Sequence, residues 1–173
     1  MTLAPLGWSG YGHIGYPAYA ILLMASLAPP RLPPQGSILA EFSTYLTSIK
    51  KSVGHIELLP AIDEQQFDLL VLLSERMSLL TLSAARQESM REVARKVANL
   101  RIARIVEQQR RGAYDRAAKL AVALSATYCL SGEDARAMQF PRELLLRYPR
   151  HSAFRSNLQS EWKASPVLKG LKL

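Results

Sequence analysis

Apolar and polar positions divide this chain into a front stretch with no helical period and a long remainder written almost wholly in helical period. After Ser37, a good N-cap, Ile38, Leu39, Phe42, Leu46 and Ile49 recur at helical steps until Gly54, the stripe of an amphipathic helix. Beyond Pro60, Asp63 with Gln66 forms a capping box for a second helix through FDLLVLLSERMSLLTL. Its Leu-Leu-Val-Leu-Leu stretch is apolar on every side, which predicts a helix buried at the centre of the domain. A strand reading of those five residues is opposed by the flanking Asp, Glu and Met.

Residues 83–111 hold no glycine or proline and predict one long helix. Met90, Val93, Val97 and Leu100 fall on one face at about 100° per residue, and Ile102, Ile105 and Val106 on nearly the opposite face. A stripe that changes sides near Leu100 implies two packing environments. Met90, Val93 and Val97 are expected against the N-terminal helices, and Ile102, Ile105 and Val106 against a hairpin over 114–128 or a partner. Gly112 reads as a C-terminal stop. Tyr114, Ala117, Ala121, Leu124 and Tyr128 mark a further helix, rich in alanine and suited to close contact, which Gly132 ends. Residues 133–147 form the next, with Pro141 kinking it or opening a second piece. Phe154, Leu158 and Trp162 mark a last short helix, and SPVLKGLKL reads as a loose basic tail.

The front stretch is different. Residues 1–36 contain five of the nine glycines and six of the ten prolines, and the first forty residues hold one charged side chain, Arg31. APPRLPPQG reads as an extended, polyproline-like linker. Residues 14–28 are uncharged and end in small residues, but no Lys or Arg precedes them and Pro17 interrupts them, so a secretory signal does not fit. The run is also shorter than the about 20 residues a membrane span needs. The expectation is an extended apolar arm over 1–36 that docks on the protein's own core or on a partner subunit, with interfacial membrane contact as the second reading. Trp8, Tyr11, Tyr16 and Tyr19 are its aromatic anchors, the residue types that dominate interface energies.

Charge sharpens this picture. Residues 1–83 carry four Lys/Arg against six Asp/Glu, and residues 84–173 carry eighteen against eight. Such asymmetry speaks about partners, either a polyanion or an acidic protein surface, and little about fold. Arg91, Arg95, Lys96, Arg101, Arg104, Arg110 and Arg111 are the candidate nucleic-acid contacts, since arginine-rich helices follow phosphates by counterion release. Against this, the cations are spread around the helix, and Glu88–Arg91 and Glu92–Arg95/Lys96 offer local compensation. No aromatics interleave with them to stack bases.

Catalytic chemistry finds no pattern. His13, His55 and His151 lie in different expected elements without ligand spacing. Glu57, Asp63, Glu64 and Asp68 form an acidic patch that capping and the helix dipole explain. GWSGYGHIGY lacks the spacing of a nucleotide-binding loop. The single cysteine, Cys129, excludes an internal disulfide and reads as a buried, inert thiol. The expectation is therefore no enzyme, no cofactor, no metal and no small-molecule substrate, in an intracellular setting (cytoplasm or an organelle matrix).

Residues 112–158 carry a family resemblance. Tyr114 with Ala117 and Ala118, then Gly132 with Ala135, Leu144-Leu145, Tyr148-Pro149 and Ala153 resemble a helical hairpin of the tetratricopeptide type. The resemblance covers about a quarter of the chain, fewer than the about three repeats of a free-standing solenoid, and departs from the pattern at Pro141. It implies a non-enzymatic scaffold that holds peptides or neighbouring subunits. The expected architecture is all-α: a bundle of five to six helices or a tetratricopeptide-like array over 37–163, with the arm before it and a basic tail over 164–173. The expected role is a structural subunit of a larger assembly that binds partner proteins. The alternative is a basic helical subunit of a ribonucleoprotein or DNA-bound complex.

Overall fold

The structure, a computed structural model, describes residues 15–27, 30, 75–77 and 79–173. Among these the fold is all-α, without strands: α1 (Gly15–Ala25), α2 (Ala84–Glu107), a 3-10 turn (Arg111–Ala113), α3 (Tyr114–Leu130), α4 (Asp134–Arg147) and α5 (Ser152–Ala164). The helices expected over 37–53 and 63–82 lie outside the described residues, apart from a helical turn at 75–77.

α3 sits at the centre. Tyr114, Ala117, Ala118, Leu120 and every residue from Ala121 to Tyr128 are buried, and α3 packs on each of the other four helices. The five alanines among these positions remove side-chain bulk and let neighbouring helix axes come close. The buried Thr127 hydroxyl is absorbed locally, donating to the Ala123 carbonyl at 2.9 Å, and the half-buried Ser131 just past the helix donates to the Thr127 carbonyl at 3.0 Å.

The N-terminal segment departs from the extended arm. Gly15–Ala25 is helical, and Pro17 falls in its first turn, where a missing N–H breaks no helical bond. Tyr19, Ala20, Leu23 and Met24 are fully buried in the common core. The Tyr19 hydroxyl donates to the Leu120 carbonyl of α3 at 3.0 Å. This segment therefore docks in cis, as a structural helix of the domain.

α2 also corrects the sequence reading. It ends at Glu107, and its buried stripe never changes sides. Gln87, Arg91, Ala94, Ala98, Ile102 and Ile105 are buried at steps of four, three, four, four and three, one continuous helical face. Hydropathy misses the front of this face because it is written in two alanines and two long polar side chains. Those polar ends have a task. Gln87 Nε2 donates to the Leu27 carbonyl at 2.9 Å and Arg91 Nη1 donates to the Ser26 carbonyl at 3.1 Å, just beyond the end of α1, where carbonyls lack helical partners. Val93, expected to be buried, is exposed, while Val97, Ile102, Ile105 and Val106 are buried.

The C-terminal tail is folded onto the domain. Leu168 is fully buried, Trp162 Nε1 donates to the Leu171 carbonyl at 2.9 Å, and Arg142 donates to the Lys172 carbonyl at 3.0 Å. The core thus takes in residues on both sides of the 37–163 boundary. α4 is one helix across Pro141, whose ring is buried, so the proline opens no second piece.

Two helices stop by the same device. Gly132 lies at φ 78° and Gln109 at φ 52°. After α3, Gly132 N–H donates to Cys129 and Glu133 N–H to Tyr128; after α2, Gln109 N–H donates to Val106 and Arg110 N–H to Ile105. Both are Schellman closures, one with its preferred glycine and one with a strained glutamine. Substitutions should therefore act with opposite signs. Gly132→Ala is expected to lower stability by about 1 kcal/mol, and Gln109→Gly to raise it by about 0.5 kcal/mol, strain relief being partly offset by unfolded-state entropy. Urea unfolding midpoints of the two variants check this.

Candidate functional site

α2 and α4 lie side by side and parallel, joined by polar side chains at a constant spacing in sequence. Glu88 meets Arg136, Arg95 meets Glu143 and Asn99 meets Arg147, each pair 48 residues apart. Along either helix the rungs are seven and then four residues apart, so all three fall on one face. Arg136 is the densest node. It bonds both oxygens of Glu88, pairs with Glu133 at 2.7 Å and Glu92 at 3.5 Å, and lies over the Tyr128 ring at 4.5 Å.

Arg91 sits behind this seam. Its side chain is nine-tenths buried, bonds Glu88 Oε2 at 2.9 Å, approaches Glu133 at 3.5 Å and lies 5.9 Å from the Tyr128 ring centroid. Arg95 bonds both oxygens of Glu143 at 2.9 and 2.8 Å and stands 5.9 Å from the Phe140 ring centroid. The arrangement pins Glu88 as an anion: the Arg136 hydrogen bonds, opposed by desolvation and helped by Arg91, hold its carboxyl down at about 2. Between the rungs Arg95, Tyr128, Arg136, Gln139 and Phe140 line a shallow depression with no enclosed space for a ligand.

The seven candidate nucleic-acid residues therefore separate. Arg91 is buried and Arg95 half-buried, and both are held by acids that come from α4 and the turn before it as well as from α2. Arg101 is half-buried, and Lys96, Arg104, Arg110 and Arg111 are exposed. The last three stand at the end of the bundle where α2 runs out.

The second connection arrives at that same end. Tyr148 donates to Glu107 at 3.3 Å, and Phe154 packs edge-on against both Tyr114 at 6.0 Å and Tyr148 at 5.8 Å. These contacts bring the α4–α5 connection beside the α2–α3 connection, and with it Arg147, Arg150 and Arg155. Arg116, on the first turn of α3, belongs to the same end. Sequence reasoning missed these four, which lie up to about fifty positions from Arg104. The aromatic positions Tyr114, Tyr148 and Phe154 were the only signal that the two connections meet.

Of the expected anchors, Tyr19 is consumed in the core, Tyr16 falls in α1 with its side chain outside the described positions, and Trp8 and Tyr11 lie outside the described residues. Burial first, and then a hydrogen bond with Asp134, pushes the Cys129 thiol up from its usual value. The thiol is half-buried and donates to the Val167 carbonyl at 3.4 Å, an environment that disfavours the reactive thiolate.

Among the described residues no group of three His, Cys, Asp or Glu could hold a metal ion, and no helix is long and apolar enough to cross a membrane. No family model, curated protein or solved structure matches the chain.

The seam predicts an acid response. Because Glu88 is depressed in the folded state, its stabilisation is present above the usual 4.5 and is lost as pH falls toward about 2. The group is a third exposed, so screening limits the effect to about 1 kcal/mol. Thermal melts between pH 5 and pH 2 should fall less steeply for Glu88→Gln than for the parent protein.

Proposed function

We propose that this chain is a non-catalytic structural subunit of a larger intracellular assembly. The observation that carries the reading is on the outer face of the α2–α4 layer, turned away from α3. Val93 and Leu100, seven residues apart on α2, are 43% and 53% exposed, and Leu146 on α4 is 81% exposed. Lys96 and Arg104 flank them. An apolar centre rimmed by cations is the composition of a protein interface. Such groups belong in contact with a neighbour once the chain is assembled.

The tetratricopeptide-like reading of residues 112–158 is part of this proposal. α3 packs on both α4 and α5, as a helical hairpin and the first helix of a following repeat would. Partner anchoring by the N-terminal segment is narrowed to Trp8, Tyr11 and Tyr16, since Tyr19 is already used within the domain. Its test is removal of residues 1–14, because a longer deletion would take α1 out of the core.

Val93→Glu combined with Leu100→Glu is the direct test of the outer face. Both positions are exposed, so stability should change by no more than about 0.5 kcal/mol for each. The parent chain, isolated from its native source, is expected to co-purify with a stoichiometric set of protein subunits that withstands nuclease, and the double variant is expected to lose that set. A parent chain that runs as a monomer in native extract, or a variant that keeps every subunit, contradicts the proposal.

A further inference from the structure

We infer that the end of the bundle formed by the α2–α3 and α4–α5 connections is a binding surface for the phosphodiester backbone of a duplex nucleic acid. The surface is made by folding, because its cations come from two segments, 104–116 and 147–155. Arg104, Arg110, Arg111, Arg116 and Arg150 are all exposed, and none is held by an ion pair or side-chain hydrogen bond within the described residues. Arg147 and Arg155 add their charges while donating to neutral oxygens, Asn99 Oδ1 and the Pro149 carbonyl.

Only two carboxylates lie in these segments, Glu107 and Asp115, and Glu107 accepts from Tyr148. Among the described residues the opposite end has no comparable excess, since Glu88, Glu92 and Glu133 are gathered there around Arg91 and Arg136. The basic surplus of residues 84–173 is thereby concentrated where the arginines stand unpaired.

The chemistry of the patch selects its partner. Every cation in the two segments is arginine, with no lysine, and the guanidinium fork matches phosphate oxygens bidentately. α5 begins here without a side-chain N-cap, so its first backbone N–H groups add to the donors, whereas the first N–H of α3 is taken by the Arg111 carbonyl of the 3-10 turn. α2 and α4 end at the same place, so the helix dipoles cancel and the side chains set the field.

Among the described residues Tyr114, Tyr148 and Phe154 of this end are buried, so they offer no platform on which single-stranded bases stack. An acidic protein partner is the weaker fit, because these aromatics are buried and the arginines therefore surround no apolar centre of the kind a protein interface packs. Charge without stacking suits a regular duplex backbone, bound without base readout.

Fluorescence anisotropy of the full chain with 20-base-pair DNA and RNA duplexes of one sequence, from 50 to 200 mM salt, tests this. Five phosphate contacts give a slope of about −4.5 in log K against log salt, a loss of about 500-fold over that range. Arg110→Gln/Arg111→Gln/Arg150→Gln should bring the slope to about −2, and Arg104→Gln/Arg116→Gln should independently reduce it by about 2.

Lys163→Gln/Lys169→Gln/Lys172→Gln, an equal charge loss outside the two arginine segments, should leave the slope unchanged. The preferred duplex identifies RNA or DNA as the source of the phosphates. The inference is overturned by no duplex binding at 50 mM salt, or by equal slope changes from the arginine and lysine variants. Tighter binding of the single strand than of its duplex, or displacement by polyglutamate at matched charge, overturns it as well.

Discussion

The guanidinium of Arg91 is the point at which the separate parts of this fold are tied. It reaches the Ser26 carbonyl after α1, Glu88 on its own helix, Glu133 in the turn before α4, and the neighbourhood of the Tyr128 ring on α3. A cation this far from water is costly unless its donors are all met, and removing one member of such a set costs about 3–5 kcal/mol. The planar fork can serve a carboxylate and a carbonyl in different directions at once, which an ammonium point charge does less well. Its contribution is one of registration as much as stability: it fixes where α1 ends against α2, and where α4 starts.

From that registration the rest follows. α3 has no solvent-facing side over most of its length, so it is stable only when enclosed. α2, α4 and α5 cover part of it, and α1 supplies further cover through Tyr19, Leu23 and Met24. The parallel rungs between α2 and α4 then hold two helices that share few direct backbone approaches. They also consume acids and arginines together at one end of the bundle. What remains of the basic excess is displaced to the other end, so the packing solution and the charge distribution have one origin.

The sequence made the all-α class, α3, α5 and the stop at Gly132 legible, because those features rest on local period and on glycine's access to positive φ. It hid α1, because glycine, proline and missing charge resemble an extended linker when the buried surface that receives them lies about a hundred residues away. It misplaced the face of α2, because Gln87, Arg91, Ala94 and Ala98 are buried for what they bond or how closely they let a neighbour approach, and hydropathy registers neither. Among the expected phosphate contacts, Arg104, Arg110 and Arg111 are exposed at the end of α2. Arg91 and Arg95 were misjudged because, beside the Glu88 of the same helix, they are held by Glu133 and Glu143, which come from a distant part of the sequence. The remaining arginines of the basic end became visible only when Tyr114, Tyr148 and Phe154 brought two connections together.

The claim on which this account rests is that residues 15–27 belong to the same cooperative unit as α3. Native-state hydrogen exchange on the full chain measures it directly. Amides of Tyr19 to Met24 should exchange with the protection of Leu120 to Leu124, both through global unfolding, and should lose that protection together in Arg91→Met. Exchange of the α1 amides at unprotected rates while α3 stays protected would contradict the account, because it would leave the N-terminal helix outside the core that Arg91 and Tyr19 are held to complete.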